Sequence, residues 1–234
     1  MSTIEPTEPE TTTDYEYQYS YEFLNSERAR KFFADTDFAL RSGRHIQNYG
    51  ADFKVWDFIN DYYDKGLSKY YSELFGMSLK KEYNERESYF FLDFPEEGSK
   101  GKFGYDRTYS LDDRLVIFSI LLLNLYKEKF FENKEIKWDE LIYIIEESEN
   151  KDLWQKLLHG ETKRNYTPGE KEEVRRKIER TLQTCERMGW IRWISYEDLH
   201  FEIMPSIDRI SKLYQNEINN IDLLTEYLEN NLPS

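Results

Sequence analysis

Cysteine is almost missing from this chain of 234 residues. Cys185 stands alone, so no intramolecular disulfide can form and no cysteine-based metal cluster is possible; a reducing cytoplasm fits that usage. Histidine is nearly as scarce. His45, His159 and His200 are too scattered for an HExxH metal site, and neither a GxxxxGKS/T phosphate loop nor a GxSxG nucleophile elbow occurs. Carboxylates such as Asp112-Asp113 and Glu146-Glu147 are plentiful but unmatched by any recognisable base, nucleophile or metal spacing, so they read as solvated faces. The expectation is a protein without enzymatic activity, metal or cofactor. Long apolar runs are missing too. The longest, Leu115 to Leu123 broken by Ser119, falls far short of the ~20 residues that span a bilayer, and the N-terminus lacks a basic stretch followed by an apolar one. A soluble protein that is not exported by a signal peptide is expected.

Lys and Arg are absent from residues 1–27, which carry Glu5, Glu8, Glu10, Asp14, Glu16, Glu22 and Glu27, half of the formal charge of -14. A field of that sign repels phosphate, which excludes a wrapping, histone-like DNA binder. Aromatic residues are abundant instead: 17%, with 19 Tyr and 15 Phe, more than a core of this size hides, so some rings are expected at interfaces.

Residues 1–25 read as an acidic, Tyr-rich, largely disordered leader: 1–13 have almost nothing to bury, and from Tyr15 to Phe23 rings alternate with polar residues, as in an extended strand or a mobile linker. Ser26 is placed to cap a helix to Ser42, with Phe33, Ala34 and Leu40 on one face and Gly43 where a left-handed C-cap belongs, before a short strand. A second helix follows from Asp52 and a third after Gly66, with Leu67, Tyr70, Tyr71 and Leu74. Met77–Tyr83 and Ser88–Phe94 then make a hairpin. Helices followed by a hairpin predict a winged-helix domain over 26–95. A glycine-bearing linker is expected over 96–109.

The pattern then restarts over 110–216. Helices are predicted from Leu111 to about Phe131, over Trp138–Ser148 and over Leu153–Leu158. A long helix starts near Pro168, with Val174, Ile178, Thr181, Cys185 and Met188 as its inward stripe and Gly189 as its end. Trp190–Ser195 and Leu199–Met204 form a second hairpin and Ser206 to about Tyr214 a closing helix. Residues 217–234 are an amphipathic tail. The fold class is therefore mostly α with small β-hairpins, as tandem winged-helix domains.

Arg176, Arg180 and Arg187 lie opposite the inward stripe of the long helix, and Lys163, Arg164, Lys171 and Arg175 enlarge this basic region. These seven are the candidate contacts to a DNA backbone. Interleaved Glu172, Glu173, Glu179 and Glu186 favour a solvated or protein-binding face instead. With so few positive groups on an acidic chain, any DNA binding is expected to be weak, salt-sensitive and non-sequence-specific.

The run Ala39-Leu40-Arg41-Ser42-Gly43-Arg44-His45-Ile46 resembles the signature near the start of the MukE and MksE proteins, accessory subunits of bacterial condensin-like complexes. Tyr89-Phe90-Phe91-Leu92, the apolar helix Leu111–Tyr126, and Lys177 with Arg187-Met188-Gly189 extend the likeness over about residues 32–205. The MksE branch is the nearer, given the long acidic leader and extended C-terminus. The resemblance implies tandem winged helices that act as a homodimer without activity of their own, binding a MksF/MukF-like kleisin and, through it, an MksB/MukB-like SMC ATPase. It further implies a cytoplasmic, nucleoid-associated role in chromosome condensation and segregation, with Leu40, Arg41, Ser42, Gly43, Arg44, His45 and Ile46 as structural or partner contacts. The equivalent subunit of a Wadjet-type plasmid-defence complex and a free winged-helix transcriptional regulator are the alternatives.

Overall fold

The computed structural model describes residues 21–84, 87–93, 111–128, 134–163, 165–220, 224 and 226–228. The leader before Tyr21, the linker over 96–109, Arg164 and most of the tail lie outside the described residues.

Helix α1 (Glu27–Arg41) begins where Ser26 accepts a hydrogen bond from the Ala29 amide, the cap its sequence predicts. Strand β1 (Ile46–Gln47), helix α2 (Phe53–Tyr62) and the short α3 (Ser68–Tyr70), flanked by wider turns over Tyr63–Leu67 and Tyr71–Phe75, follow. Strands β2 (Ser78–Asn84) and β3 (Glu87–Asp93) complete an antiparallel sheet of order β1-β3-β2. Three local expectations fail. Ala34 and Leu74 are exposed, and Glu22–Asn25 is a 3-10 turn that buries Phe23 rather than the end of an extended strand.

The second half repeats the order. Helix α4 (Asp113–Glu128) is capped by Asp112, whose Oδ1 accepts from the Leu115 amide at 2.8 Å. It buries residues all around its circumference, as a central helix does. Strand β4 (Glu135–Ile136) and helices α5 (Trp138–Glu147), α6 (Lys151–His159) and α7 (Pro168–Arg187) lead to β5 (Ile191–Ser195) and β6 (His200–Ile203), in a sheet of order β4-β6-β5. A 3-10 turn, Pro205–Asp208, starts the closing segment, which continues as α8 (Arg209–Leu213) and α9 (Gln215–Asn219). The buried residue of the α7 stripe is Leu182 and not Thr181: the Thr181 hydroxyl donates back to the Lys177 carbonyl at 3.0 Å.

Each half has its own cluster of buried apolar residues, one around Phe58, Ile59, Leu67 and Phe90, the other around α4, Ile178 and Trp154. The run Tyr89-Phe90-Phe91 shows how they meet. Alternate residues of a strand point to opposite faces. Phe90 packs with Trp56 and Tyr63 on the helix side, while Tyr89 and Phe91 turn the other way, and all three are buried. That other face is covered by the second half: Arg209 lies 4.6 Å over the Phe91 ring and 2.9 Å from Asp93, Lys212 is 2.7 Å from Glu82, and Asn84 donates to the Pro205 carbonyl at 3.0 Å. A sheet covered on both faces reads as a continuous apolar run.

Candidate functional site

Two places carry the predicted residues: the seam between the halves and the outer face of α7. The seam is built by the turn after α1. Leu40 and Ile46 are buried in the first core, and Arg41 pairs with Asp37 while lying over the rings of Phe38 and Phe75. Ser42 donates from its hydroxyl to the Ala39 carbonyl at 2.7 Å. Gly43 takes φ 85°, the left-handed conformation that reverses the chain at a helix end with no Cβ penalty.

That reversal delivers Arg44, His45 and Gln47 to the end of α7. The last carbonyls of a helix have no partner within it and must find one elsewhere. Arg44 Nη1 donates to the Glu186 carbonyl at 2.7 Å and to that of Arg187 at 3.2 Å, with its Nε held by Asp52 at 3.1 Å. The His45 amide donates to the Met188 carbonyl at 2.9 Å, and His45 Nδ1 lies 3.1 Å from the same oxygen. A carbonyl only accepts, so Nδ1 bears the imidazole hydrogen. Gln47 Nε2 donates to the Gly189 carbonyl at 2.7 Å, which also accepts from the Ser206 hydroxyl at 2.7 Å, while Gln47 Oε1 accepts from the Ser206 amide at 3.1 Å. Four consecutive carbonyls, 186 to 189, thus accept from residues 142 or more positions away or from Ser206, that of Glu186 also accepting from the Gly189 amide at 2.9 Å.

Gly189 permits the approach. Its φ is 77°, and a Cβ there would sit 2.3 Å from the His45 carbonyl oxygen. His45 stacks on Phe91 at 5.2 Å and lies near Tyr89 and Trp190, with Nε2 buried and without a hydrogen-bond partner among the described residues. Burial pushes its imidazole down to about 4, against the raising effect of the Met188 carbonyl, with Arg209 lowering it further and Glu82 opposing. At neutral pH the ring is an uncharged donor to Met188. At the rim, Arg192 pairs with Glu202 and lies 5.3 Å over Tyr49, beside a cleft of about 210 Å³ whose walls come from both halves.

The basic face is more divided than its sequence implies. Lys163 pairs with Glu161 and Glu170, Lys171 with Glu146 at 2.8 Å, and Arg176 with Glu172 at 4.0 Å. Arg164 lies outside the described residues. Arg175 lies 5.0 Å over the Trp138 ring and donates to the Glu197 carbonyl, and Arg187 donates to Thr184 Oγ1 at 3.0 Å. Arg180 borders a groove with Asp112, Asp113, Arg114, Thr181 and Thr184. Arg180 and Arg187 are exposed and have no carboxylate partner among the described residues. The structure does not draw the seven cations into one patch.

Sequence reasoning located Arg44 and His45 but missed Gln47, Ser206, Asp52 and the second duty of Gly189. Nothing beside Gln47 in the sequence marks its partners, which lie 142 and 159 positions away. Among the described residues, no group of three or more His, Cys, Asp or Glu side chains is placed to hold a metal ion, and no helix is long and apolar enough to cross a membrane.

The polar side chains of the signature turn are thus directed at backbone groups, at a joint between two like-ordered helix-and-sheet halves. The family model for condensin complex protein MksE matches residues 31–214, from within α1 through the seam to the end of α8, and the chain belongs to that family. A search of curated proteins finds no match.

Proposed function

We propose that the protein is a non-catalytic subunit of a bacterial SMC–kleisin complex that organises, entraps and segregates chromosomal DNA. Membership of the MksE family over residues 31–214 is the observation that carries this reading. In it, two winged-helix domains, 26–95 and 110–216, follow the leader and are joined by the 96–109 linker. The repeated order of helix, strand, helices and hairpin, with sheets of order 1-3-2 in both halves, supports that assignment. The domains bind the kleisin as a dimer and reach the SMC ATPase through it, in the cytoplasm and on the nucleoid. DNA meets the outer face of α7 only within the assembled complex, through its phosphates and without sequence preference, because the chain as a whole is strongly acidic.

Affinity purification of the full chain from its native host tests this directly. Recovery of a kleisin and an SMC-type ATPase at comparable stoichiometry is the expected result, with light scattering of the purified protein giving twice the chain mass of 28.5 kDa. Recovery of the chain without either component refutes the reading, as does tight, sequence-selective DNA binding by the isolated protein at physiological salt, which marks a transcriptional regulator.

A further inference from the structure

We propose that Arg44, His45 and Gln47 form a latch that makes the two halves one rigid body, with the first half gripping the carbonyls at the glycine-closed end of α7. The pose of α7 and its outward arginines is then set by the other half of the chain. The inference does not depend on which partner binds the protein.

The latch has a direction. All its principal donors come from the turn and strand after α1, and they enter consecutive carbonyls from Glu186 to Gly189 in order along the chain. A shift by one residue would leave a donor or an acceptor buried and unpaired, so only one register satisfies the set. Sliding is also blocked sterically, since the Gly189 backbone passes the His45 carbonyl at a distance that excludes any Cβ.

A joint held at one point can still pivot. This one is held again along β2 and β3, where Arg209 reaches Asp93, Lys212 reaches Glu82 and Asn84 reaches Pro205. Contacts on the carbonyl end of α7 and on the face of the first sheet are separate lines of support, and together they remove the rotation that either alone permits. Between them lie His45, Tyr89, Phe91 and Trp190, all buried, so opening the joint means wetting four large side chains.

Spin labels on Lys54→Cys and Lys151→Cys, both exposed and one in each half, report the distance between halves in the full chain. Cys185 is buried, with its thiol pushed up to about 12, and does not compete for the label. The expected result is one narrow distance distribution for the otherwise unaltered protein. In Gly189→Ala the distribution should broaden and amide protection over residues 186–190 should fall by about tenfold or more, with the helical far-UV signal retained. If Gly189→Ala does not fold, Gln47→Ala decides, because it removes the bonds to Gly189 and Ser206 without adding an atom. A broad distribution in the parent protein overturns the proposal. So does a folded variant whose distribution and protection at 186–190 match the parent's.

Discussion

His45 condenses the logic of the seam into one side chain. Its Nδ1–H and amide both serve the Met188 carbonyl, while Nε2 faces apolar rings, so the neutral tautomer fits and a second proton has no acceptor. The consequence for stability has a definite sign. The folded-state value, about 4, lies below the ordinary 6.5, so the unfolded chain takes up the proton first as pH falls. The stabilisation is therefore complete above about pH 6.5 and is lost between there and about pH 4, amounting to roughly 3 kcal/mol for a fully buried ring. His45→Asn keeps a donor near the position of Nδ1 but cannot titrate in this range. Denaturant titrations at pH 7 and pH 4.5 are expected to show a larger fall for the parent protein than for this variant; equal falls refute the assignment. At this scale, what could be read from sequence was local. Gly43 announced itself because a helix end, a glycine and flanking arginines are neighbours in the chain. Gln47 did not, because its acceptor is 142 residues away and nothing in its surroundings signals one.

Helix α7 is the element in which local and long-range determinants are easiest to separate. Its start is written nearby: Thr167 and Glu170 cap each other and Pro168 occupies the first turn, of which the sequence reading used only Pro168. Its core stripe was read with one error, Thr181 for Leu182, because the two positions flank the same face and only tertiary packing decides which is covered. Its end is closed nearby by Gly189, whose amide reaches the Glu186 carbonyl while that of Trp190 reaches Cys185, and the other half adds Arg44 to the same end. The outer face follows the same division. Helical spacing placed Arg176, Arg180 and Arg187 together, but ion pairing distinguishes them: Arg176 has Glu172 beside it, whereas Arg180 and Arg187 have no carboxylate partner among the described residues. If α7 meets phosphate in the complex, the second pair carries the interaction. Arg180→Glu with Arg187→Glu should lower the slope of log affinity against log salt for the assembled complex on DNA by about two. Exposed side chains outside any core contact change stability by no more than about 0.5 kcal/mol, so the melting transition should hardly move. An unchanged slope removes α7 from the DNA surface.

For the molecule as a whole, the duplication of order was legible, since hydrophobic periodicity and turn residues repeat in each half. Their mutual dependence was not. The Tyr89-Phe90-Phe91 run fits a strand covered on both faces, yet sequence offers no way to tell which element supplies the second cover. Here it is the segment from Pro205 to Lys212, far along the chain, with His45 and Trp190 filling the space between. A half separated from its partner therefore exposes Tyr89 and Phe91 on one side and the carbonyls of Arg187 and Met188 on the other. Apolar burial contributes about 25 cal/mol per Å², and two aromatic side chains bury a few hundred Å² between them, so several kcal/mol of the first half's stability resides in the seam. That is a large share of the stability of a small domain. Expressed alone, residues 1–110 should bind a hydrophobic dye strongly and associate, and residues 111–234 should show fast amide exchange at the end of α7. Mixing them should restore a 1:1 complex with dye binding suppressed and protection at 186–189 recovered. Two pieces that are separately monomeric, dye-silent and fully protected would mean that each half carries its own complete fold, and that the seam merely brings finished domains together.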